Sequence, residues 1–143
     1  MRATILFVLF GLAGRLVAAS DEGPGSSSSL DRYLFPAEVV MQHHEAIGLG
    51  VEQRHALKEA VLSAQAKFLD LQWKQQAELG KLLDLLRAHP VDEQRAAAQM
   101  SALLEVETRI KRLHFDLLVR IKNALTPDQQ AKLARLRARF PVP

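Results

Sequence analysis

Five histidines and no cysteine set the metal chemistry open to this 143-residue chain. Imidazoles together with carboxylates suit zinc, nickel or cobalt. The missing thiols exclude disulfides, thiolate metal sites, thiol catalysis and lipidation at a lipobox cysteine. His43 and His44 are adjacent, flanked by Met41 and Glu45. On a helix their side chains would point about 100° apart, so they do not readily grip one ion together. His55 and Glu59 stand four residues apart, His89 precedes a proline, and His114 lies beside an apolar row. The site that helix packing could assemble is His43 or His44 with Glu59 and His114. Solvated or hydrogen-bonded histidines are the plainer alternative, and no metal or other cofactor is expected as the first reading.

Catalytic groupings are missing. His44-Glu45 is not followed by a second histidine at the spacing of a zinc protease. The glycines form no phosphate-cradling loop, and the serines at 26–29 have no base organised near them. Asp92-Glu93 reads as the start of a helix, where negative charge suits the macrodipole. An enzyme is not expected.

The elements that would carry these residues are all helices, with no alternating strand pattern. Leu125-Thr126-Pro127-Asp128-Gln129-Gln130 reads as a helix start. Thr126 is the N-cap, Pro127 takes the first helical position and Gln129 closes a capping box. A weaker copy, Leu49-Gly50-Val51-Glu52-Gln53-Arg54, has glycine as the cap. Four residues beyond each Gln comes an apolar residue, Leu57 and Leu133. The two copies predict two related ends of one helical framework. Pro36 is expected to open a short helix reaching Ile47, ended by Gly48 and Gly50. A long helix should follow from Val51 to about Ala88, stopped by His89-Pro90, and another from Asp92 to Ala124. The last should run from Pro127 to about Phe140. A short loop between long helices folds them back on each other. The expected fold is all-α: a long antiparallel helical hairpin with short flanking helices, four in all. Gly80, in mid-helix, is expected to mark a bend or a close crossing.

Each long helix carries two apolar stripes. Leu57, Val61, Ala64, Phe68 and Leu71 form one on the first; Leu62, Ala66, Leu69, Trp73 and Ala77 form another, rotated by about 100°. On the second, Leu103, Val106, Ile110, Leu113, Leu117 and Ile121 form a seam, with Leu104, Phe115 and Leu118 beside it. One stripe of each can close the hairpin. The other, represented by Leu62, Leu69, Trp73, Leu104, Phe115 and Leu118, exceeds what the short helices can cover. It is expected to meet a second copy or a protein partner.

Met1-Arg2, the apolar run Ala3 to Gly14 and the small residues Val17-Ala18-Ala19-Ser20 read as an export signal over residues 1–19. The run is too short for a permanent membrane span. A Ser/Gly linker at 20–31 leads into the helical domain at 32–140. Without Arg2 and Arg15, 17 basic and 16 acidic residues remain. They are unevenly placed: Asp21 to Thr108 has 8 basic and 14 acidic residues, Arg109 to Pro143 has 9 and 2. Such a split favours antiparallel self-association or an acidic partner segment. Export makes nucleic acid an unexpected partner for the basic tail.

The leader, the four helices and the two Leu-Thr-x-x-Gln copies resemble the Spy/CpxP family of periplasmic proteins over about residues 33–139. Leu125, Thr126, Pro127 and Gln129 carry the second motif, and Leu49 and Gln53 the first, with Gly50 in place of Thr. Tyr33-Leu34-Phe35-Pro36 and Ile121-Lys122-Asn123-Ala124-Leu125 are similar to one subgroup. The resemblance implies a Spy-like antiparallel dimer, an ATP-independent chaperone of the envelope stress response that binds unfolded or partner proteins. It also implies a contact with an envelope sensor kinase, as in CpxP-like members. Its CnrX-type and ZraP-type relatives bind heavy metals through histidines, which makes metal sensing or resistance the alternative. Here the sequence departs from them: Val40 occupies the position of the first His of their His-x-x-x-His pair. His114 stands about one turn too early before the last motif.

Overall fold

The computed structural model describes Leu30 and residues 33–139. The expected leader lies outside the described residues, as does the expected linker apart from Leu30. Four helices are described: α1 (Ala37–Gln42), α2 (Val51–Leu86), α3 (Glu93–Ala124) and α4 (Pro127–Arg139). Helices α2 and α3 pack on each other as the hairpin. With 36 and 32 residues, they are about 54 and 48 Å long at 1.5 Å per residue.

Local chemistry sets each boundary. The Asp92 carboxylate accepts the Arg95 N–H at 3.0 Å and starts α3. Thr126 Oγ1 accepts the Gln129 N–H at 3.3 Å, and Gln129 Oε1 accepts the Thr126 N–H at 2.9 Å. This closes the expected capping box. At α2 only half of such a box exists, the Gly50 N–H donating to Gln53 Oε1 at 2.9 Å.

The first helix is shorter than expected. It stops at Gln42 rather than Ile47, and residues 43–48 follow as turns. The His44 ring is the local reason. Its Nδ1–H donates to the Met41 carbonyl at 2.7 Å, taking an acceptor that a continuing helix would offer to backbone. The turn still ends as a helix does. The Leu49 N–H reaches the His44 carbonyl at 2.9 Å, with Gly48 at φ 67°, a left-handed conformation natural to glycine.

The core sits at one end of the hairpin, where all four helices meet. Phe35, Val39, Val40, Ile47, Leu49, Leu57, Ile121, Leu125 and Leu133 form one buried cluster, with Leu117 and Leu136 packed against it. The N-terminal arm is fastened there by two cations. Lys122 Nζ donates to the Tyr33 carbonyl at 2.8 Å, and an Arg137 guanidinium N–H donates to that of Leu34 at 3.2 Å.

Beyond this end the hairpin is thin. Its inner seam runs through half-buried Val61, Phe68, Leu71, Ile110 and Leu113, with Leu103 and Val106 buried. Polar pins add to it. Gln99 Nε2 donates to both the side chain and the carbonyl of Glu78, at 2.6 and 3.0 Å, and Gln75 to Glu107 at 3.3 Å. Donation from Lys81 Nζ, and secondarily from Gln99, holds the Glu78 carboxyl below its ordinary range.

Gly80 is not a close crossing point. A Cβ there would meet nothing within 4 Å, and α2 runs through it without a break. Gly80→Ala is therefore expected to stabilise the protein by about 0.5–1 kcal/mol, because glycine wastes backbone entropy in a helix. A rise in the urea midpoint checks this. A fall would mean that the glycine serves a contact made outside the subunit.

Candidate functional site

The two motif copies come together in the fold and grip each other. Gln53 Nε2 donates to Gln129 Oε1 at 2.8 Å, and Gln129 Nε2 donates back to Gln53 Oε1 at 3.0 Å. The second proton of each amide reaches across to the helix start or end opposite: Gln53 to the Ala124 carbonyl at 2.7 Å, Gln129 to that of Gly48 at 3.2 Å. Each amide oxygen also accepts its own cap's N–H, from Gly50 and from Thr126. Both side chains thus use two donors and two acceptors, which is all a primary amide has.

The arrangement is nearly two-fold. Gly48, Leu49, Gly50, Gln53 and Leu57 correspond to Ala124, Leu125, Thr126, Gln129 and Leu133, each 76 positions later. The four leucines belong to the buried cluster below the amides. Pro127 and Thr126 stay at the surface. The motif residues are therefore structural, a clasp that fixes α2 and α4 relative to the end of α3.

Gln130 is a member that sequence reasoning missed. Its Nε2 donates to the carbonyls of Lys122 and Leu125, both at 3.1 Å, so it satisfies carbonyls that the end of α3 leaves open. The adjacency Gln129-Gln130 was the available signal: one amide faces the clasp and the next faces the preceding helix.

The outer stripes behave differently from the inner ones. Leu62, Leu69, Leu104 and Phe115 are exposed, and Trp73 is 70% exposed. Leu118 departs from this group, being half-buried. Leu83, Leu86 and Met100, nearer the hairpin tip, are exposed as well. The short helices do not reach this region, because α1 and α4 are spent on the cluster at the other end.

The histidines do not assemble. Among the described residues no group of three or more His, Asp or Glu side chains converges as a metal-holding set. The combination of His43 or His44 with Glu59 and His114 is therefore not formed within one subunit. His44 is committed to Met41, with its Nε2 3.9 Å from Glu45. Glu59 lines an open cleft of about 430 Å³ between α2 and α3, walled by Ala56, Leu57, Ala60, Ser63, Arg120 and Ala124. The Arg120 guanidinium in the same cleft opposes a dication there. His114 is exposed on α3, ten residues before Ala124, about 15 Å along the helix.

Among the described residues no helix is long and apolar enough to cross a membrane. Comparison with curated proteins finds no match, and comparison with solved structures finds none either. A family model described as heavy-metal resistance matches residues 3–132, a span that contains both motif copies, the clasp and the whole hairpin. With so much of its length matched, this chain belongs to the heavy-metal-resistance family.

Proposed function

We propose that this member of the heavy-metal-resistance family is an exported, periplasmic protein of the envelope stress response. It works by binding and not by catalysis, holding unfolded or partner proteins against the outer face of its hairpin. The observation that carries the reading is the exposure of Trp73, with Leu62, Leu69, Leu104 and Phe115, on two helices whose inner seams are already satisfied. Large apolar side chains exposed at helical spacing on both long helices suit a contact surface. Such a surface suits weak, adaptable contact with exposed apolar segments, and no nucleotide is needed to load or release them. The clasped end supplies the rigid base. The uneven charge along the chain supports antiparallel pairing of two copies, and a sensor kinase of the envelope is a candidate partner for the same surface.

Direct metal binding is the second reading, and the family match favours it. Within one subunit the histidines stand apart, so such a site would take ligands from a second copy or from a rearranged turn at His43-His44.

One pair of measurements separates the two. Equimolar protein is expected to suppress aggregation of an unfolding client, with no stoichiometric uptake of zinc, nickel or cobalt by calorimetry. Tight uptake lost in His43→Ala/His44→Ala, with no suppression, would replace the first reading by the second.

A further inference from the structure

We propose that the outer row of α2 is a coiled-coil seam that takes one amphipathic α-helix of a partner protein lengthwise. The inference rests on the holding role proposed above, and it narrows the clients to segments that are helical when bound.

From Leu62 the row passes through Ala66, Leu69, Trp73, Gln76 and Gly80 to Leu83, at alternating steps of four and three. All of it lies within α2, which runs unbroken from Val51 to Leu86. This rhythm is a heptad repeat, and on a straight helix such a row drifts by only about 20° per heptad. The large members, Leu62, Leu69, Trp73 and Leu83, are exposed. A Cβ at Gly80 would meet nothing within 4 Å, so Gly80 and Ala66 leave room between the larger side chains.

The same helix shows what covers a row of this rhythm. Its inner row, Leu57, Val61, Ala64, Phe68 and Leu71, has the same steps and packs on a helix, α3. Leu57 is buried there and the others are half-buried. The outer row repeats that spacing and is left open.

Spacing also separates a helix from an extended chain. Leu62 to Leu83 is 21 positions in six steps, so one step is about 5.3 Å at 1.5 Å per residue. A second helix repeats at the same interval, and its side chains stay in step along the whole row, about 32 Å. On one face of a strand, side chains recur only about every 6.7 Å. Over six steps that mismatch grows to about 8 Å, more than a full step of the seam. Gln76 is the polar member of the row, and a polar residue in such a seam fixes the partner's register at some cost in affinity.

Trp73 is the single tryptophan of the chain, so its emission reports on the seam directly. The test titrates the whole protein with two peptides of about 21 residues and equal composition, built from Leu, Ala, Glu and Lys. One peptide carries its leucines at steps of three and four, the other at every second residue. The first is expected to shift Trp73 emission to the blue and to bind about tenfold more tightly or better. Leu62→Lys/Leu69→Lys should weaken that binding about tenfold or more. Its urea midpoint should not move, because both positions are exposed. Equal binding of the two peptides, tighter binding of the alternating one, no binding of either, or full binding by the double variant would overturn the proposal. So would blue emission from the free protein that reddens on dilution, which would give the seam to a second copy. Suppression of client aggregation is read separately. If it persists while the two peptides bind equally, the holding role stands and the helical seam falls.

Discussion

Gln129→Ala is expected to lower the unfolding free energy by about 2 kcal/mol, a large loss for a single replacement. Gln129 is 7% exposed, whereas Gly48 and Thr126 are exposed and Gln53 is half-buried, so water can recover part of what its partners lose. The truncation strands the Gly48 carbonyl, the Thr126 N–H and half of the Gln53 amide. Each buried polar group left unmatched costs about 1–3 kcal/mol, with entering water recovering part of it. Gln53→Ala should be milder because Gln53 is only half-buried. The informative variant is the double one. Once either amide is gone the other is already partly stranded, so Gln53→Ala/Gln129→Ala should cost less than the two single losses together. Urea unfolding followed by circular dichroism measures all three. A single loss below about 1 kcal/mol, or strict additivity, would show that the paired amides do not act as a unit.

The second large effect is functional and should leave stability alone. Leu69→Ser/Trp73→Ser/Leu104→Ser is expected to abolish suppression of client aggregation, with at least a tenfold rise in the amount of protein required. The unfolding free energy should stay within about 0.5 kcal/mol per site, as for other exposed positions away from the core. All three residues are exposed and none belongs to the buried cluster. Serine removes the apolar contact area, worth about 25 cal/mol for each Å² withdrawn from water. If the triple variant holds clients as well as the parent, the outer stripe is not where they bind. If it unfolds, the stripe is a structural face, and the exposure of Trp73 would need another explanation.

Much of the fold was legible because its boundaries are written in local chemistry. Asp92, Thr126-Pro127 and the His89-Pro90 stop each act through the next turn of backbone, so they could be read without knowing any long-range contact. The separation of inner and outer stripes followed from helical period alone, and it agrees with the burial of Leu57, Leu103, Val106 and Ile121 against the exposure of Leu69 and Trp73. Leu118 shows the limit of such periodicity. Its place beside the seam did not reveal that it would be half-buried.

The failures have separate causes. The His44 ring captures the Met41 carbonyl and ends α1 early, an effect that helix propensity does not register. Glycine at position 80 has the pattern of a contact point, but no neighbour approaches it. Capping explains the Thr126–Gln129 box, whereas the grip between Gln53 and Gln129 spans 76 positions and depends on the tertiary fold. The candidate metal set fails for another reason. His43, His44, Glu59 and His114 share a chemical type, but packing at the clasped end is decided by the apolar cluster.

The placement of that cluster has a mechanical consequence. A rod clamped at one extremity and held elsewhere by a single seam and a few amide pins does not loosen evenly. Its free extremity, from about Gln75 to Gln99, is expected to open before the clamp does, once the Gln75 and Gln99 pins release. The span that would meet a partner is then compliant and the span that gives the molecule its shape is not. Widening the grip on a bulky segment would not require the domain to come apart.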